Sequence, residues 1–139
     1  MPIKNVNPYL NFNGSAAKAI PFYEKALGAK SSNVMRFGDV PNMGSPETKD
    51  LIMHAVLDLG GGKLMLSDGR PNTTVPPGGN SHVSLDFDDP RDMAAKFEAL
   101  AAGGQVTMPL QDTFWGAKFG MLTDVFGINW MFNCETRKG

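Results

Sequence analysis

The stretches NPYLNFNGSAAKAIPFYEKALGA (7–29) and HVSLDFDDPRDMAAKFEALAAGG (82–104) are two copies of one sequence pattern. Each copy begins with apolar residues at alternating positions, typical of a strand, and continues into a segment with helical spacing that ends at a glycine. The matched residues, all 75 positions apart (103 − 28), are Leu10 and Leu85, Phe12 and Phe87, Phe22 and Phe97, Ala26 and Ala101, and Gly28 and Gly103. A strand–helix unit that recurs at constant spacing predicts a fold built from two similar modules.

Short apolar runs follow each strand–helix unit and predict three further strands in each half. These runs are 33–38, 51–58 and 63–68 in the first half, and 105–109, 115–124 and 128–134 in the second. A Gly-, Pro- and Asn-rich linker, 69–80, separates the halves. The sequence therefore predicts an α+β fold in a single domain, 1–139, made of two βαβββ modules at 5–68 and 81–135.

Local signals predict where the elements of each repeat begin. In the first repeat, the strand is predicted over VNPYLNF (6–12), with Val6 among its core-facing residues. Ser15 is the predicted N-cap of the following helix, and Phe22 is predicted to lie on the core side of that helix. In the second repeat, Asp89-Pro90 supplies the cap and the first helical position.

Composition and charge exclude several classes of protein. The 139-residue chain has a net charge of −1 and no clustered basic residues, which argues against nucleic acid and anionic membranes as partners. No segment approaches the roughly 20 apolar residues of a membrane helix, and MPIKNVNPYL (1–10) lacks the apolar core of a signal peptide. A single cysteine, Cys134, cannot form an intrachain disulfide. We expect a cytoplasmic protein.

Several motifs resemble a known superfamily. FYEKALGA (22–29), LIMHAVLDLGGGKLMLSD (51–68), VTMPLQDTFWGAKFGMLTDVFG (106–127) and INWMFN (128–133) are similar to the vicinal-oxygen-chelate superfamily, the glyoxalase/bleomycin-resistance/dioxygenase group. Within it they resemble the PhnB-like branch, often labelled 3-demethylubiquinone methyltransferase-like. The resemblance implies an open half-barrel sheet around a cleft, a small-molecule ligand and a homodimer. The chain has no glycine-rich strand–helix turn of the kind that binds a nucleotide methyl donor, so the methyltransferase label finds no support in the residues.

The resemblance also implies four metal-ligand positions, which in this sequence are Asn7, Met65, His82 and Met131. Metal-using members place histidine and glutamate there, whereas only His82 is a good ligand here for a borderline divalent ion. Thioethers suit copper(I) instead of Zn, Mn, Fe or Mg. We therefore expect neither a metal site nor another cofactor. His82 is the one residual ligand-type residue, and it is either a remnant of a metal site, a hydrogen-bonding group of the pocket, or a strand-end histidine bonded to a neighbouring carbonyl.

Strand alternation predicts which side chains line the cleft that the resemblance implies. If His82 and Met131 face it, polar or soft side chains follow on the same faces, a composition typical of a small-molecule pocket. The predicted ligand-binding residues are Tyr9, His54, Met65, Ser67, His82, Ser84, Trp115, Met131 and Asn133. Trp115 is equally compatible with a place over the core.

His54 has apolar neighbours on both sides, and the alternation of its strand is ambiguous. It is either a hydrogen-bonded core histidine or the candidate catalytic residue, acting as an acid or base on a bound substrate. Asp58, Asp68 and Asp86 lie at predicted strand ends and give weak support to the catalytic alternative.

Three hypotheses remain open. The first is a metal-independent small-molecule-binding protein. The second is an enzyme of lyase, isomerase or dioxygenase type that uses non-standard metal ligands such as His54 and His82, or His54 alone as acid or base. The third is a structural dimer with a vestigial cleft. The sequence names neither the ligand nor a reaction.

Overall fold

The computed structural model describes residues 3–42, 44–69, 74–76 and 78–136. The chain divides into two compact units, 1–76 and 77–139. The division falls inside the predicted linker, of which 70–73 and 77 lie outside the described residues. Each unit is a βαβββ module with one helix and a four-stranded mixed sheet, which confirms the predicted α+β fold class.

The first unit forms one sheet in the strand order β1-β4-β3-β2. Strands β1 and β4 are parallel, and the remaining neighbours are antiparallel. In chain order its elements are β1 (Tyr9–Asn11), α1 (Ala16–Leu27), β2 (Lys30–Arg36), a 3₁₀ turn (Phe37–Asp39), β3 (Ile52–Asp58) and β4 (Lys63–Ser67).

The second unit repeats this arrangement, with the strand order β5-β8-β7-β6 and a parallel pair, β5 and β8. Its elements are β5 (Val83–Phe87), α2 (Pro90–Ala101), β6 (Gln105–Asp112), β7 (Ala117–Thr123) and β8 (Asn129–Glu135). The shared strand order confirms the internal repeat. None of the helices in the described ranges is long and apolar enough to cross a membrane.

The two parallel ladders also match residue by residue. Tyr9 pairs with Met65 in the first unit, and Ser84 pairs with Met131 in the second. Because Tyr9 and Ser84 are 75 positions apart in the repeat (84 − 9), Met65 and Met131 hold equivalent places. The sequence-based equivalence of these two methionines is therefore confirmed.

One face of each sheet forms the core beneath the helix. In the second unit, Phe97 of α2 meets Phe132 of β8 edge-to-face, with ring centroids 5.0 Å apart. In the first unit, the ring centroids of Phe12 and of Tyr23 in α1 are 6.3 Å apart. The buried strand residues of these faces include Leu64, Leu66, Leu122, Trp130, Phe132 and Cys134. In β4 and β8 these buried residues occupy alternate positions, so each of the two strands has one apolar face.

Equivalent residues of the two helices are 74 positions apart, whereas equivalent residues of β1 and β5 are 75 positions apart. This difference corrects two predictions. Buried Tyr23 of α1 corresponds to buried Phe97 of α2 at a separation of 74 (97 − 23), and Phe22 is only half-buried. The constant separation of 75 therefore holds for the strands but not for the helices. Val6 was also predicted wrongly, because β1 begins only at Tyr9 and Val6 is 83% exposed.

The predicted N-cap position of α1 is confirmed, but the side chain that supplies the capping hydrogen bond is a different one. Ser15 is the N-cap residue, but its side chain makes no capping hydrogen bond. The carboxylate of Asp68 takes that role, because its Oδ1 accepts from the Ala16 N–H at 3.0 Å. The cap of α2 is confirmed: Asp89 accepts from the Arg91 N–H at 2.9 Å, and Pro90 follows it.

A bulge interrupts the second strand of each unit, and a second register irregularity follows it, after Met35 in β2 and after Met108 in β6. Two residues of β2, at 33–34, lie between the ladder partners Ser32 and Met35, and Asn33 has a φ of 53°, a conformation that asparagine tolerates. In β6 the ladder skips Thr107, between Val106 and Met108. Each bulge shifts the alternation by one residue, so that Met35 pairs with His54 and Met108 pairs with Met121.

Candidate functional site

Each sheet has a helix-distal face, which is the face opposite its own helix. In the first unit, buried Leu64 and Leu66 point to the helix side, so Met65 between them lies on the helix-distal face. Ladder partners share a face, which brings Tyr9 and Val56 there beside Met65. All three side chains are partly accessible.

A hydrogen bond joins two of the predicted ligand-binding residues on this face. The Tyr9 hydroxyl lies 2.9 Å from His54 Nδ1, and the two rings are tilted with centroids 5.8 Å apart. Since β4 lies between β1 and β3 in the sheet, the pair spans β4 diagonally: Tyr9 is opposite Met65, and His54 lies two residues from Val56, the β3 partner of Met65. His54 is half-buried, and its free ring nitrogen, Nε2, supplies one further donor or acceptor, depending on the tautomer.

The ambiguous orientation of His54 is thereby resolved. Its partner in the ladder is Met35, which is 39% exposed, and the Tyr9 contact places the imidazole on the helix-distal face instead of in the core. The first unit therefore carries a hydroxyl–imidazole pair beside two methionines. Such a surface can bind a molecule that has both a polar group and an apolar body.

The carboxylates at the strand ends are engaged elsewhere. Asp68 is 5% exposed and accepts from the backbone N–H groups of Ala16 and Ile52. Asp58 accepts from the Gly60 N–H in the β3–β4 turn. No carboxylate among the described residues is hydrogen-bonded to His54, so the support that these residues gave to an acid–base role falls away.

Ser67 and Trp115 occupy different surroundings from the other predicted binding residues. Ser67 follows Met65 on the same strand face, but it is buried and its Oγ accepts from the Gly69 N–H at 2.8 Å. Trp115 lies just before β7, is 53% exposed and contacts Phe119 edge-on at 6.2 Å. Phe114 beside it is 90% exposed.

The second unit carries its own set of predicted residues on the helix-distal face. Met131 lies there between buried Trp130 and Phe132, and its ladder partner Ser84 is exposed. Asn133, two residues further along β8, donates from Nδ2 to Asp86 Oδ1 at 3.2 Å. This face combines hydroxyl, amide and carboxylate groups with soft apolar side chains.

His82 and Asn7, two of the four superfamily ligand positions, are exposed residues that precede β5 and β1. Among the described residues His82 makes no hydrogen bond. The described part of the chain also contains no group of three or more His, Cys, Asp or Glu side chains arranged to hold a metal ion. The expectation that the superfamily metal is absent stays a prediction.

The sequence analysis did not identify several side chains of the helix-distal faces, among them Met35, Met108, Phe119 and Met121. Phe119 and Met121 follow the plain alternation of β7, so the period-2 pattern could have identified them. Met35 and Met108 could not be placed that way, because each follows a bulge that reverses the alternation.

Comparison with known proteins now identifies the family. The profile of the Glyoxalase/Bleomycin resistance protein/Dioxygenase superfamily matches residues 5–132. This chain belongs to that superfamily. The resemblance stated from the sequence motifs is confirmed.

Individual relatives agree with this assignment. Protein YjdN of Escherichia coli strain K12 is 34% identical over 92% of this chain and 93% of its own length. Protein PA1353 from Pseudomonas aeruginosa is 42% identical, with a TM-score of 0.86 over 96% of this chain and 98% of the other. A Bacillus cereus PhnB protein, called a putative 3-demethylubiquinone-9 3-methyltransferase, has the same fold at 24% identity, with a TM-score of 0.75 over 94% and 99% of the two chains.

Proposed function

We propose that this chain is a PhnB-like small-molecule-binding protein that acts in the cytoplasm as a homodimer and uses no superfamily metal. The observation that carries the proposal is the equivalent placement of Met65 and Met131, at the positions where the resemblance implies carboxylate ligands. A thioether there replaces a charged, metal-holding group with a soft apolar one that adapts to the shape of a ligand.

The polar groups beside these methionines favour a partly polar organic ligand. In the first unit, the Tyr9 hydroxyl and His54 Nδ1 are hydrogen-bonded at 2.9 Å. The second ring nitrogen, His54 Nε2, can then form one directional hydrogen bond with a ligand. In the second unit, Ser84 and the Asn133–Asp86 pair provide hydroxyl, amide and carboxylate groups near Met131. A few polar groups beside an apolar floor are typical of small-molecule sites.

An enzyme of the same fold is the second candidate, and the Tyr9–His54 pair is the observation that favours it. A histidine held by a phenol can move a proton to or from a bound substrate. The engagement of Asp68 and Asp58 by backbone groups weighs against this candidate, because neither carboxylate orients the imidazole. We therefore favour binding without turnover.

The test begins with a thermal-shift screen of untagged protein against small organic molecules. A ligand that binds only the native state at a hundredfold excess over Kd stabilises it by about 2.7 kcal/mol. Calorimetry with a hit then compares wild type with Tyr9→Phe, His54→Gln, His82→Ala and Met131→Glu. We expect Met131→Glu to weaken binding at least about tenfold if the ligand covers that position, because a carboxylate enters an apolar surface.

Val125→Glu is the matched control for Met131→Glu. Val125 is 50% exposed in the turn that joins β7 to β8, so the variant adds the same charge to the same hairpin away from the helix-distal face. Unchanged binding in all four site variants would reject these faces as the site. Product formation from the hit in wild type, lost in His54→Gln, would replace the binding proposal with the enzyme alternative.

A further inference from the structure

Three methionines form a straight row across the second sheet. Met108 of β6 pairs with Met121 of β7, and Met121 pairs in turn with Met131 of β8. Ser84 of β5 ends the row beside Met131. The row therefore crosses all four strands of the sheet, with three thioethers on consecutive strands.

All three thioethers are on the helix-distal face. Met131 alternates with buried Trp130 and Phe132, and Phe132 contacts Phe97 of the helix. Direct ladder partners share a face, so Met121 and Met108 lie on the same side as Met131. Each of the three side chains is half-buried, which leaves it accessible from that face.

The bulge in β6 creates the row. Val106 pairs with buried Leu122 on the helix side, so plain alternation would bring Thr107 opposite Met121. The ladder instead skips Thr107 and brings Met108 into that place. A bulge is a common device for re-aiming one side chain at a functional position.

The equivalent row of the first unit lacks this composition. It runs through Tyr9, Met65, Val56 and Ser32, and so contains one thioether. The two rows share a backbone arrangement, but only the second presents three sulfur atoms. The row of the first unit is therefore an internal control for any property that requires three thioethers together.

We propose that Met108, Met121 and Met131 bind one soft monovalent cation, copper(I) or its redox-stable analogue silver(I). Direct ladder partners have Cβ atoms about 5 Å apart, and each methionine has three rotatable bonds, so the three sulfur atoms can converge on one ion. Uncharged thioethers select soft monovalent ions and give little stabilisation to Zn, Mn or Mg. This inference goes beyond the proposed function and does not depend on it.

The first experiment titrates silver(I) into the full-length protein and follows ¹³C-labelled methionine methyl groups by NMR. We expect saturation at one ion per chain, with the resonances of Met108, Met121 and Met131 moving together. Copper(I) affinity is measured by competition with a chromophoric chelator, without oxygen and with ascorbate present. Failure to saturate at one ion, or shifts spread over unrelated methionines, would overturn the proposal.

Single Met→Leu substitutions at 108, 121 and 131 test the ligand set. Leucine keeps the apolar volume and removes the sulfur, so folding should survive. We expect each substitution to weaken copper(I) binding about tenfold or more, because a soft ligand is lost. Met65→Leu, in the equivalent row of the first unit, should leave copper(I) affinity unchanged, and an equal loss there would reject the assignment.

The pH dependence separates thioethers from the other soft or borderline ligands of the chain. Imidazoles gain a proton between about pH 5 and 8, whereas a thioether has none to gain. We therefore expect copper(I) affinity to stay constant across this range and in His82→Ala. A marked loss in either measurement would show an imidazole site in place of the methionine row. Cys134 is buried on the opposite face and is retained in every variant.

Discussion

The Tyr9 hydroxyl and His54 Nδ1 lie 2.9 Å apart and join the first and third strands of their sheet across β4. Neither residue shows this relationship in the sequence, where they are 45 positions apart. The pair fixes the orientation of the imidazole while keeping it accessible. Because Tyr9 belongs to the parallel β1–β4 ladder, this hydrogen bond makes the position of the candidate site depend on that ladder.

Tyr9→Phe should disturb the site more than the fold. Tyr9 is 45% exposed, so the loss of one hydrogen bond to His54 is expected to lower the free energy of unfolding by about 1 kcal/mol or less. Urea denaturation measures this change, and ¹⁵N chemical shifts of the imidazole report the altered environment of His54. A loss of several kcal/mol would show that Tyr9 has a structural role instead.

Much of the fold could be predicted because local and long-range signals agree. The repeat, the alternation in β4 and β8, and the turn glycines each indicate the same two modules, and the structure contains them. The equivalent positions of Met65 and Met131 could be predicted for the same reason, because both residues lie in strands whose parallel ladders contain no bulge.

The unpredicted parts depend on interactions that no local pattern encodes. Asp68 caps a helix that begins 52 residues earlier in the chain, so the nearby Ser15 appeared to be the capping side chain. The bulges before Met35 and Met108 reverse the alternation without a sequence signal as plain as glycine. The sequence pattern therefore could not predict that Met108, Met121 and Met131 form one row.

Asp68→Ala should destabilise the first unit strongly. The substitution leaves the N–H groups of Ala16 and Ile52 without their buried acceptor, at about 1–3 kcal/mol for each group. Urea denaturation at neutral pH should show a total loss of about 2–6 kcal/mol. Asp58→Ala is the control, because Asp58 is an exposed residue at the end of β3, and its loss should cost about 1 kcal/mol or less. Equal effects of the two substitutions would contradict the structural role of Asp68.

Gly104→Ala should also destabilise the protein. A Cβ at this position would lie 2.3 Å from the Thr123 carbonyl oxygen and 2.9 Å from backbone atoms of Asp124, and backbone cannot move aside cheaply. Overpacking of this kind costs about 1–3 kcal/mol. Gly62→Ala serves as the control, since its Cβ would meet nothing within 4 Å and its φ is not positive. Thermal denaturation of both variants checks the difference, and a neutral Gly104→Ala would refute this close approach.

The homodimer can be tested directly. Each sheet ends in edge strands, β1 and β2 in one unit and β5 and β6 in the other, and exposed edges favour pairing with another chain. We expect light scattering at micromolar concentration to give twice the 15.0 kDa mass of one chain. A mass of one chain across the accessible concentration range would rule the dimer out.

The last prediction concerns the superfamily metal. Asn7, Met65 and Met131 occupy three of the four ligand positions that the resemblance implies, and thioether or amide groups bind Zn, Mn, Fe, Ni and Co poorly. We therefore expect elemental analysis of untagged protein to find each of these metals far below one per chain. A chelator of divalent ions should likewise leave the thermal midpoint unchanged, because none of these divalent metals contributes to the stability of the native state. A sharper test uses the double variant that carries both Met65→Glu and Met131→Glu. This variant has an acidic residue at both equivalent positions. If wild type holds one divalent ion per chain and loses stability on chelation, the metal-free assignment is wrong. A gain of metal only in the variant with both substitutions would show that the absence of carboxylates at these positions is what keeps the divalent metals out.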